Sequence, residues 1–380
     1  MNPACVADYR DLARRRLPRM FFEYIDGGAY AEVTLRRNVA DMEAIALRQR
    51  VLRDMTGLDM GTTVAGQALS MPLVLAPVGL AGMYARRGEV QAARAAHGAG
   101  LAFCLSTVGV CTPEEVTAGA GAPWFQLYML KDRAFMADVL ARAQDCGCRV
   151  LVFTVDLPTP GARYRDARSG FGGSGLAGAL GTAWQGITHP EWLIDVWLAG
   201  RPHTLGTVAS AVTQAGGVSA FLAWIAQNFD RGVTWADLDW VRARWDGPII
   251  IKGVLDVDDA RAAAAAGAQG LVVSNHGGRQ LDGVTSSISR LPRIAEAVGG
   301  EMEVLVDGGV RSGLDILKAL ALGARACLIG RPWAYALGAG GEAMVTRMLA
   351  GLRSELATAM ILTGCNAVTS ASKSLLDEKS

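Results

Sequence analysis

Eight short apolar runs recur along the 380-residue chain, each followed by a polar or glycine-rich turn and a stretch with helical spacing. Most of the runs start roughly 22 to 33 residues apart, the length of a strand-and-helix unit. Eight such units close into a barrel, so we predict an α/β fold, a (β/α)8 TIM barrel. An open doubly wound sheet is the competing architecture, but no GxGxxG motif follows the first run. The predicted strands are 73–76, 102–105, 124–127, 150–155, 249–251, 271–273, 304–306 and 327–329.

One interval in this series is much longer than the others. From Val150 to Ile249 the chain runs for about 100 residues, so about 70 extra residues are expected after the fourth strand, at about 165–235. Structureless loops of this length are uncommon in compact domains and tend to be functional or mobile. This one is rich in glycine at 170–181 and carries Trp184, Trp192, Trp197 and Trp224.

The chain before the first predicted strand has a different pattern. Residues 8–24 place apolar side chains such as Tyr9 and Phe21 at helical spacing among charged residues. We interpret residues from about 1 to 65 as an N-terminal helical cap over one mouth of the barrel. With this cap and the insertion included, residues 1–380 are expected to form a single domain, since α/β barrels commonly reach this size.

Composition excludes several classes of protein. The net charge of +1 argues against a nucleic-acid partner. No signal peptide is expected, because Arg14–Arg16 lead into Leu17-Pro18 rather than into a long apolar segment. We therefore expect the chain to remain in the cytoplasm. The seven cysteines form no CxxC pair, which favours reduced thiols and predicts no metal site.

The polar residues that close the apolar runs carry the functional information. In a barrel of parallel strands these side chains converge on one mouth, where barrel enzymes have their active sites. Any one of them could be a hydrogen-bonded structural group, but a suitable residue follows nearly every run. They are Ser106, Gln126 with Tyr128, Thr154 with Asp156, Lys252, His276 with Arg279, Asp307 and Arg331.

Two segments near the C-terminus predict a phosphate site. Asp307-Gly308-Gly309-Val310-Arg311 follows the seventh run, and Gly330-Arg331 follows the eighth. Barrels often bind phosphate between these two loops, through backbone N–H groups and a helix N-terminus. The pattern does not distinguish a flavin mononucleotide from a sugar phosphate. A non-redox aldolase or isomerase that uses Lys252 as a Schiff base therefore stays open as an alternative.

The sixth run leads directly into the most unusual stretch, LVVSNHGGRQLDG at 271–283. A lone histidine after a strand is more often structural than catalytic. Here the Gly277-Gly278 step predicts a tight loop, and His276 lies three residues from Arg279. This combination favours a catalytic histidine.

The stretch SNHGGRQLDG at 274–283 resembles the signature of the FMN-dependent α-hydroxy-acid dehydrogenases and oxidases. The resemblance runs from about residue 8 to 370 and is closest to the bacterial respiratory members that oxidise L-lactate. It implies an FMN-binding TIM barrel that oxidises an L-2-hydroxy acid, with L-lactate to pyruvate favoured over mandelate or glycolate. The other matching stretches are DGGAYAEVTLRRN (26–38), LAPVGLAGMYARRGE (75–89), WFQLYML (124–130), FTVDLPTPGARYRDARSG (153–170) and THPEW (188–192).

The resemblance also implies how the cofactor is held. Lys252 is expected near the pyrimidine end of the flavin, where a fixed cation favours the negative charge that accumulates on reduction. An ordinary ion pair is the alternative role for this lysine. The other residues implied to bind FMN are Ala76, Pro77 and Val78 beside the ring, Ser106, Gln126, Thr154 and Ser274 at its polar edge, and Asp307, Gly308, Gly309, Arg311, Gly330 and Arg331 at the phosphate end.

The same resemblance implies the substrate chemistry. His276 takes a proton from the hydroxy acid, and Asp156 pairs with the imidazolium that forms, which raises the basicity of the ring. Transfer of a hydride and formation of a carbanion both remain open, because both routes use the same residues. The substrate carboxylate is expected on Arg163, Arg279, Tyr24 and Tyr128.

The resemblance extends to the electron acceptor and to assembly. Oxidases of the family tend to carry alanine where this chain has Gly79, and membrane-linked dehydrogenases carry glycine. We therefore expect slow reaction with oxygen and electron transfer to a quinone of the respiratory chain. A homotetramer is typical of the family.

The insertion predicts where the protein works. No charged residue occurs between Thr204 and Phe229, yet the segment is too polar for a transmembrane helix. Residues 218–225 suit a short helix that lies in a membrane interface with Trp224 at headgroup level. A helix packed on a soluble barrel is the alternative. The resemblance favours peripheral attachment to the cytoplasmic side of the inner membrane, because membrane-bound relatives use this region for attachment.

Overall fold

A closed barrel of eight parallel strands forms the centre of the molecule. The computed structural model describes residues 2–171, 175–209, 224 and 227–377. The strands follow one another in chain order around the barrel, and the last pairs with the first. Each predicted strand is confirmed, with ends shifted by at most a few residues. The bounds are β3 Leu73–Leu75, β4 Ala102–Ser106, β5 Trp124–Leu127, β6 Leu151–Thr154, β7 Ile249–Val254, β8 Gly270–Val273, β9 Glu303–Asp307 and β10 Ala326–Ile329, after a short hairpin of β1 Thr62–Val64 and β2 Gln67–Leu69.

The barrel strands are buried on both faces, which explains why their sequences are continuously apolar rather than alternating. Alternate residues such as Val74, Val152 and Leu328 fill the barrel interior. The residues between them, such as Leu75 and Phe153, pack outward against the helices. Thr154 at the end of β6 pairs in register with Lys252 of β7, so both polar side chains lie at the same mouth of the barrel.

Helices surround this barrel, and several begin at a side chain that accepts a backbone N–H. Thr112, Asp132, Asp256, Ser286 and Ser312 each cap a helix in this way. The last and longest helical stretch contains a kink at Gly340 and Gly341. The helices around the barrel are Gly88–Gly98, Pro113–Ala120, Arg133–Asp145, Asp237–Arg242, Val257–Ala265, Ser287–Val298, Gly313–Ala321 and Arg331–Thr363.

The N-terminal segment is helical as expected but is divided into separate helices. Val6–Arg16 and Arg19–Asp26 are separated at Leu17-Pro18, and a third helix covers Val33–Ala44. The helical spacing over 8–24 is confirmed, and the break within it arises because the residue before a proline is disfavoured in the helical conformation. The hairpin β1–β2 was not foreseen either, since three-residue strands carry too little periodicity to detect.

Asp26 joins this cap to the rest of the molecule. Its carboxylate accepts hydrogen bonds from Arg10 at 2.5 and 2.8 Å, from Arg165 at 2.7 Å and from the Tyr335 hydroxyl at 2.7 Å. Burial raises the pKa of Asp26, but the hydrogen bonds from Arg10, Tyr335 and Arg165 outweigh it and hold the pKa well below the ordinary value. The start of the insertion is thereby tied to the cap through Arg165.

The insertion after β6 is partly helical. It contains Tyr164–Ser169, Gly175–Ile187, Pro190–Trp192 and a π-helical turn, Leu193–Leu198. Large apolar side chains of this part are more than half exposed: Leu180, Trp184, Ile187, Ile194 and Leu198. We call these five residues the apolar patch.

The predicted interfacial helix at 218–225 lies outside the described residues except for Trp224. That side chain is partly buried and packs against the hydrophobic core. None of the helices in the described part of the chain is both long and apolar enough to cross a bilayer.

Candidate active site

One cavity opens at the carboxyl ends of the barrel strands, under the cap. Four predicted residues do not line it. Asp156 and Ser274 bond to His276 and Lys252, which do, and Ser106 bonds to Gln126 and to the N–H of Val108 at the cavity wall. Most of the predicted site residues line this cavity together: Tyr24, Ala76, Pro77, Val78, Tyr128, Thr154, Arg163, Lys252, His276, Arg279, Asp307, Gly308, Gly309, Arg311, Gly330 and Arg331.

His276 and Asp156 form a hydrogen-bonded pair at this mouth. Nδ1 of His276 lies 2.8 Å from Oδ1 of Asp156, so the contact with the carboxylate uses Nδ1 and not Nε2. Burial lowers the pKa of His276, although Asp156 opposes this shift. Burial acts to raise the pKa of Asp156, but the charge and hydrogen bond of His276 lower it overall. The pair therefore combines a neutral imidazole with an ionised carboxylate that orients it.

The backbone that presents His276 adopts an unusual conformation. His276, Gly277 and Gly278 have φ angles of 57°, 65° and 74°, a run of left-handed residues that favours glycine at two of the three positions. A Cβ on Gly278 would lie 2.6 Å from the backbone nitrogen of Leu35 in the cap. The glycines thus let the loop after β8 approach the cap closely while the histidine side chain points into the cavity. Strained non-glycine residues of this kind cluster at functional sites.

Two arginines lie beside the ring of Tyr24. The guanidinium carbons of Arg163 and Arg279 lie 5.8 and 4.9 Å from the ring centroid. Arg279 donates through Nη1 to the carbonyls of Tyr24 and Gly27, and Arg163 donates through Nε to the Arg279 carbonyl at 3.4 Å. Burial and the neighbouring Arg279 charge lower the pKa of Arg163. Two neighbouring, partly buried cations with further N–H donors form a site for an anion such as a carboxylate.

Lys252 is buried and ion-paired. Its Nζ lies 2.9 Å from Oδ2 of Asp307 and donates to the Ser274 hydroxyl at 3.0 Å. Burial acts to lower the pKa of Lys252, but the charges of Asp307 and Asp156 raise it overall. A Schiff-base lysine needs a lowered pKa to act as a nucleophile. The geometry therefore disfavours the aldolase alternative.

The predicted phosphate loops meet at one end of the cavity. Gly308 and Gly309 have φ angles of 88° and 94°, and the last long helix begins at Arg331. The guanidinium of Arg331, however, donates to the carbonyls of Ile25, Gly277 and Gly27 at 2.8 to 3.0 Å. Burial lowers its pKa to about 10. Arg331 thus ties the cap to the loop after β8, a role that its position after the eighth strand did not reveal.

Comparison of the sequence with known protein families shows which family has this active-site arrangement. A model of the FMN-dependent dehydrogenase family matches residues 13–378. The chain belongs to this family. An L-lactate dehydrogenase of Caulobacter vibrioides is 57% identical over 380 residues, covering 100% of this chain and 99% of that protein. An L-lactate dehydrogenase of Pseudomonas entomophila is 55% identical over 363 residues, 95% of each chain.

Solved structures of similar proteins share the fold of this chain. The chain resembles (S)-mandelate dehydrogenase, described as a monotopic membrane protein, with a TM-score of 0.92 and 34% identity over 99% of this chain and 100% of that one. It also resembles a mandelate oxidase with (S)-4-hydroxymandelic acid, with a TM-score of 0.84 and 40% identity over 99% and 98%. The family membership makes FMN the cofactor of this dehydrogenase.

The buried polar atoms of this FMN-dependent dehydrogenase fit a flavin. The Ser106 hydroxyl and the Thr107 N–H both donate to Oε1 of Gln126, which leaves Nε2 of that amide as a free donor. Within the described residues, Gln126 Nε2 and Thr154 Oγ1 are buried without a hydrogen-bond partner. Such orphaned groups are rare in folded proteins. The carbonyl and ring-nitrogen edge of a flavin would satisfy both.

Some cavity residues of this dehydrogenase were not predicted. Tyr84 lines the cavity and donates its hydroxyl to the Gly79 carbonyl at 2.9 Å. Phe229, from the end of the insertion, lines the cavity and lies against Tyr128 with ring centroids 5.1 Å apart. Neither belongs to a strand end or a glycine-rich turn. The match of 75–89 to the family covered Tyr84 and was the one available signal for it.

Proposed function

We propose that this FMN-dependent dehydrogenase oxidises an L-2-hydroxy acid, with L-lactate as the substrate and pyruvate as the product. One observation carries the proposal: His276, which is hydrogen-bonded to Asp156, lines the same cavity as two partly buried arginines. L-Lactate is favoured over mandelate because the L-lactate dehydrogenases are 55–57% identical, whereas the mandelate dehydrogenase is 34% identical. Loss of two electrons and two protons from C2 and its hydroxyl converts lactate to pyruvate.

Substrate binding is assigned to the arginine cluster. Arg163 and Arg279 bind the substrate carboxylate, since guanidinium groups match a carboxylate in charge and geometry. Tyr24 and Tyr128 complete this binding site. Burial raises the pKa of Tyr128, so its hydroxyl stays protonated and available as a donor. Holding the carboxylate places C2 and its hydroxyl next to His276 in the same cavity.

Proton transfer is assigned to His276. The lowered pKa keeps the ring neutral near pH 7, and the Asp156 contact at Nδ1 leaves Nε2 to accept a proton from the substrate. Asp156 stabilises the imidazolium that results. Bound FMN supplies the acceptor for the two electrons. The residues proposed to hold FMN are Ala76–Val78, Gln126 and Thr154 with Ser106 and Ser274, Lys252, and the loops 307–311 and 330–331.

A visible spectrum of the purified protein tests this function. We expect bound flavin that bleaches when L-lactate is added without oxygen, faster than with D-lactate, glycolate or mandelate. Bleaching fastest with (S)-mandelate would replace lactate by an aryl substrate and keep the reaction class. Flavin that no 2-hydroxy acid reduces would overturn the proposal.

We also propose that a quinone is the electron acceptor and that the protein lies on the cytoplasmic side of the inner membrane. The apolar patch supports attachment, because five large apolar side chains within 19 residues of the insertion are exposed and tryptophan favours a membrane interface. The similar (S)-mandelate dehydrogenase is described as a monotopic membrane protein. Assembly as a homotetramer is proposed from the family resemblance, and light scattering of the purified protein measures it.

Fractionation and stopped-flow kinetics test these assignments separately. The intact protein should float with vesicles of phosphatidylethanolamine and phosphatidylglycerol, and replacement of about 176–215 by a short loop should release it. Lactate-dependent dye reduction should survive that replacement. The reduced flavin should react faster with a quinone than with oxygen. An intact protein that stays free of vesicles, or rapid peroxide formation in air, would contradict the corresponding assignment.

A further inference from the structure

Gln280 belongs to the same loop as His276 and Arg279, but its side chain bonds to a different loop. Its Nε2 donates to the carbonyls of Asp156 and Thr159 at 2.9 and 3.0 Å. Its Oε1 accepts the N–H of Gly161 at 3.2 Å. One amide side chain therefore makes three hydrogen bonds to the backbone of the loop after β6.

The loop after β6 holds two of the proposed site residues. Asp156 stands near its beginning and Arg163 at its end, just before the helix Tyr164–Ser169. Pro158 and Pro160 lie between them and have no backbone N–H to donate. A segment with two missing donors depends on bonds from outside to keep one conformation. Gln280 provides such bonds at three points between Asp156 and Arg163.

The two loops also touch directly at this point. A Cβ on Gly161 would lie 2.5 Å from the Arg279 carbonyl oxygen and 2.7 Å from that of Gln280. Only glycine allows this approach, so the loop after β6 is packed against the backbone that carries Arg279. The hydrogen bonds of Gln280 lie next to this contact and hold the two loops in one position relative to each other.

We propose that Gln280 is a positioning residue that sets two active-site distances at once. By holding the Asp156 carbonyl, it keeps the Asp156 carboxylate at 2.8 Å from His276. By holding Gly161, it keeps Arg163 beside Arg279. The proposal rests on the proposed function, because it concerns the base and the carboxylate site of that reaction.

Two near-isosteric variants test the proposal. Gln280→Met keeps the volume and removes every hydrogen bond, and Gln280→Glu keeps the acceptor for Gly161 but loses both donations. We expect both to retain FMN and to slow flavin reduction by L-lactate by a factor of about 10 to 100, because a misplacement of about 1 Å costs up to about 10² in rate. KM for lactate should rise as well. Leu281→Ser, at an adjacent exposed side chain, serves as the matched control and should behave as the unmodified protein.

The pH profile distinguishes positioning from general destabilisation. Asp156 raises the pKa of His276 in the intact site, so a displaced Asp156 lets that pKa fall. The acid limb of the flavin-reduction rate should therefore move to lower pH in Gln280→Met. Hydrogen exchange at the Gly161 amide should become faster in Gln280→Met, independently of catalysis.

Three results separate the outcomes. Gln280→Met with an unchanged rate, acid limb and Gly161 exchange would overturn the positioning role. A slower rate with an unchanged acid limb and KM would also overturn it, since only folding or packing would then be affected. An unmodified protein whose flavin no hydroxy acid reduces would overturn the proposed function instead, while the Gly161 exchange would still report on the contact.

Discussion

The loop after β8 and the insertion after β6 use polar and apolar side chains in opposite ways. In the first, Ser274 is buried and accepts a hydrogen bond from Lys252 of β7. His276 and Arg279 are partly buried and contact Asp156 and the cap. In the second, Trp184 and Ile187 expose more than half of their apolar surface. Buried polar groups need fixed partners, whereas exposed apolar groups need a separate surface to cover them. We propose that the chemistry depends on the loop after β8, and that membrane attachment depends on the exposed side chains at 180–198 of the insertion.

The largest effect is expected at the base. His276→Ala should keep bound FMN while flavin reduction by L-lactate slows by ~10² or more, the usual contribution of a positioned general base. Stopped-flow reduction under argon measures it. Membrane attachment should be unchanged in this variant if the two regions are independent. A variant that loses its flavin, yet is reduced at the normal rate once reconstituted, would assign His276 a structural role.

The converse experiment removes attachment and leaves the chemistry. Trp184→Asp combined with Ile187→Asp should lower partition into anionic vesicles by at least about 100-fold, since each large apolar side chain contributes roughly 1.5–3 kcal/mol of burial. The dye-linked rate should not change. Leu362→Asp is the control, because Leu362 is similarly exposed near the end of the last helix. Equal vesicle binding by both variants would show that the apolar patch is not the attachment surface.

Substitution of Asp156, the partner of the base, should have a smaller effect on the rate and a defined effect on its pH dependence. Asp156→Asn should slow flavin reduction about 10-fold, because the imidazolium loses its charge partner. Since Asp156 raises the pKa of His276, its removal lowers that pKa, and the acid limb should shift down by about one pH unit. A rate measured from pH 5 to 9 shows the shift. An acid limb that moves upward would mean that another group is titrating.

The smallest effect is expected at the flavin edge. Ser106→Ala removes one of the two donors that orient the Gln126 amide, so FMN affinity should fall about fivefold, corresponding to about 1 kcal/mol for one hydrogen bond. Fluorescence titration of the apoprotein with FMN measures the dissociation constant. Membrane binding should not respond. An unchanged dissociation constant would show that Thr107 alone orients the amide.

Much of the active site could be predicted because the carboxyl ends of all the parallel strands of a barrel lie at one mouth. Residues at the carboxyl ends of the strands reach the same mouth, so the sequence alone predicted that Thr154, Lys252 and His276 lie together. The stretch 274–283 also contains residues whose roles its sequence did not predict. Gln280 and Asp282 lie in the same ten residues, and their roles are contacts to other loops: Asp282 accepts the N–H groups of Val33 and Thr34 in the cap.

The apolar runs and their spacing, read from the sequence alone, determined the barrel, because each run suits one buried strand and eight of them close a cylinder. The motifs determined which polar residues gather at its mouth. Only the tertiary structure decided how those side chains are used. Arg331 donates to three carbonyls of distant loops, and Phe229 enters the cavity from the end of a long insertion. Such contacts join residues far apart in the chain, and local periodicity carries no information about them.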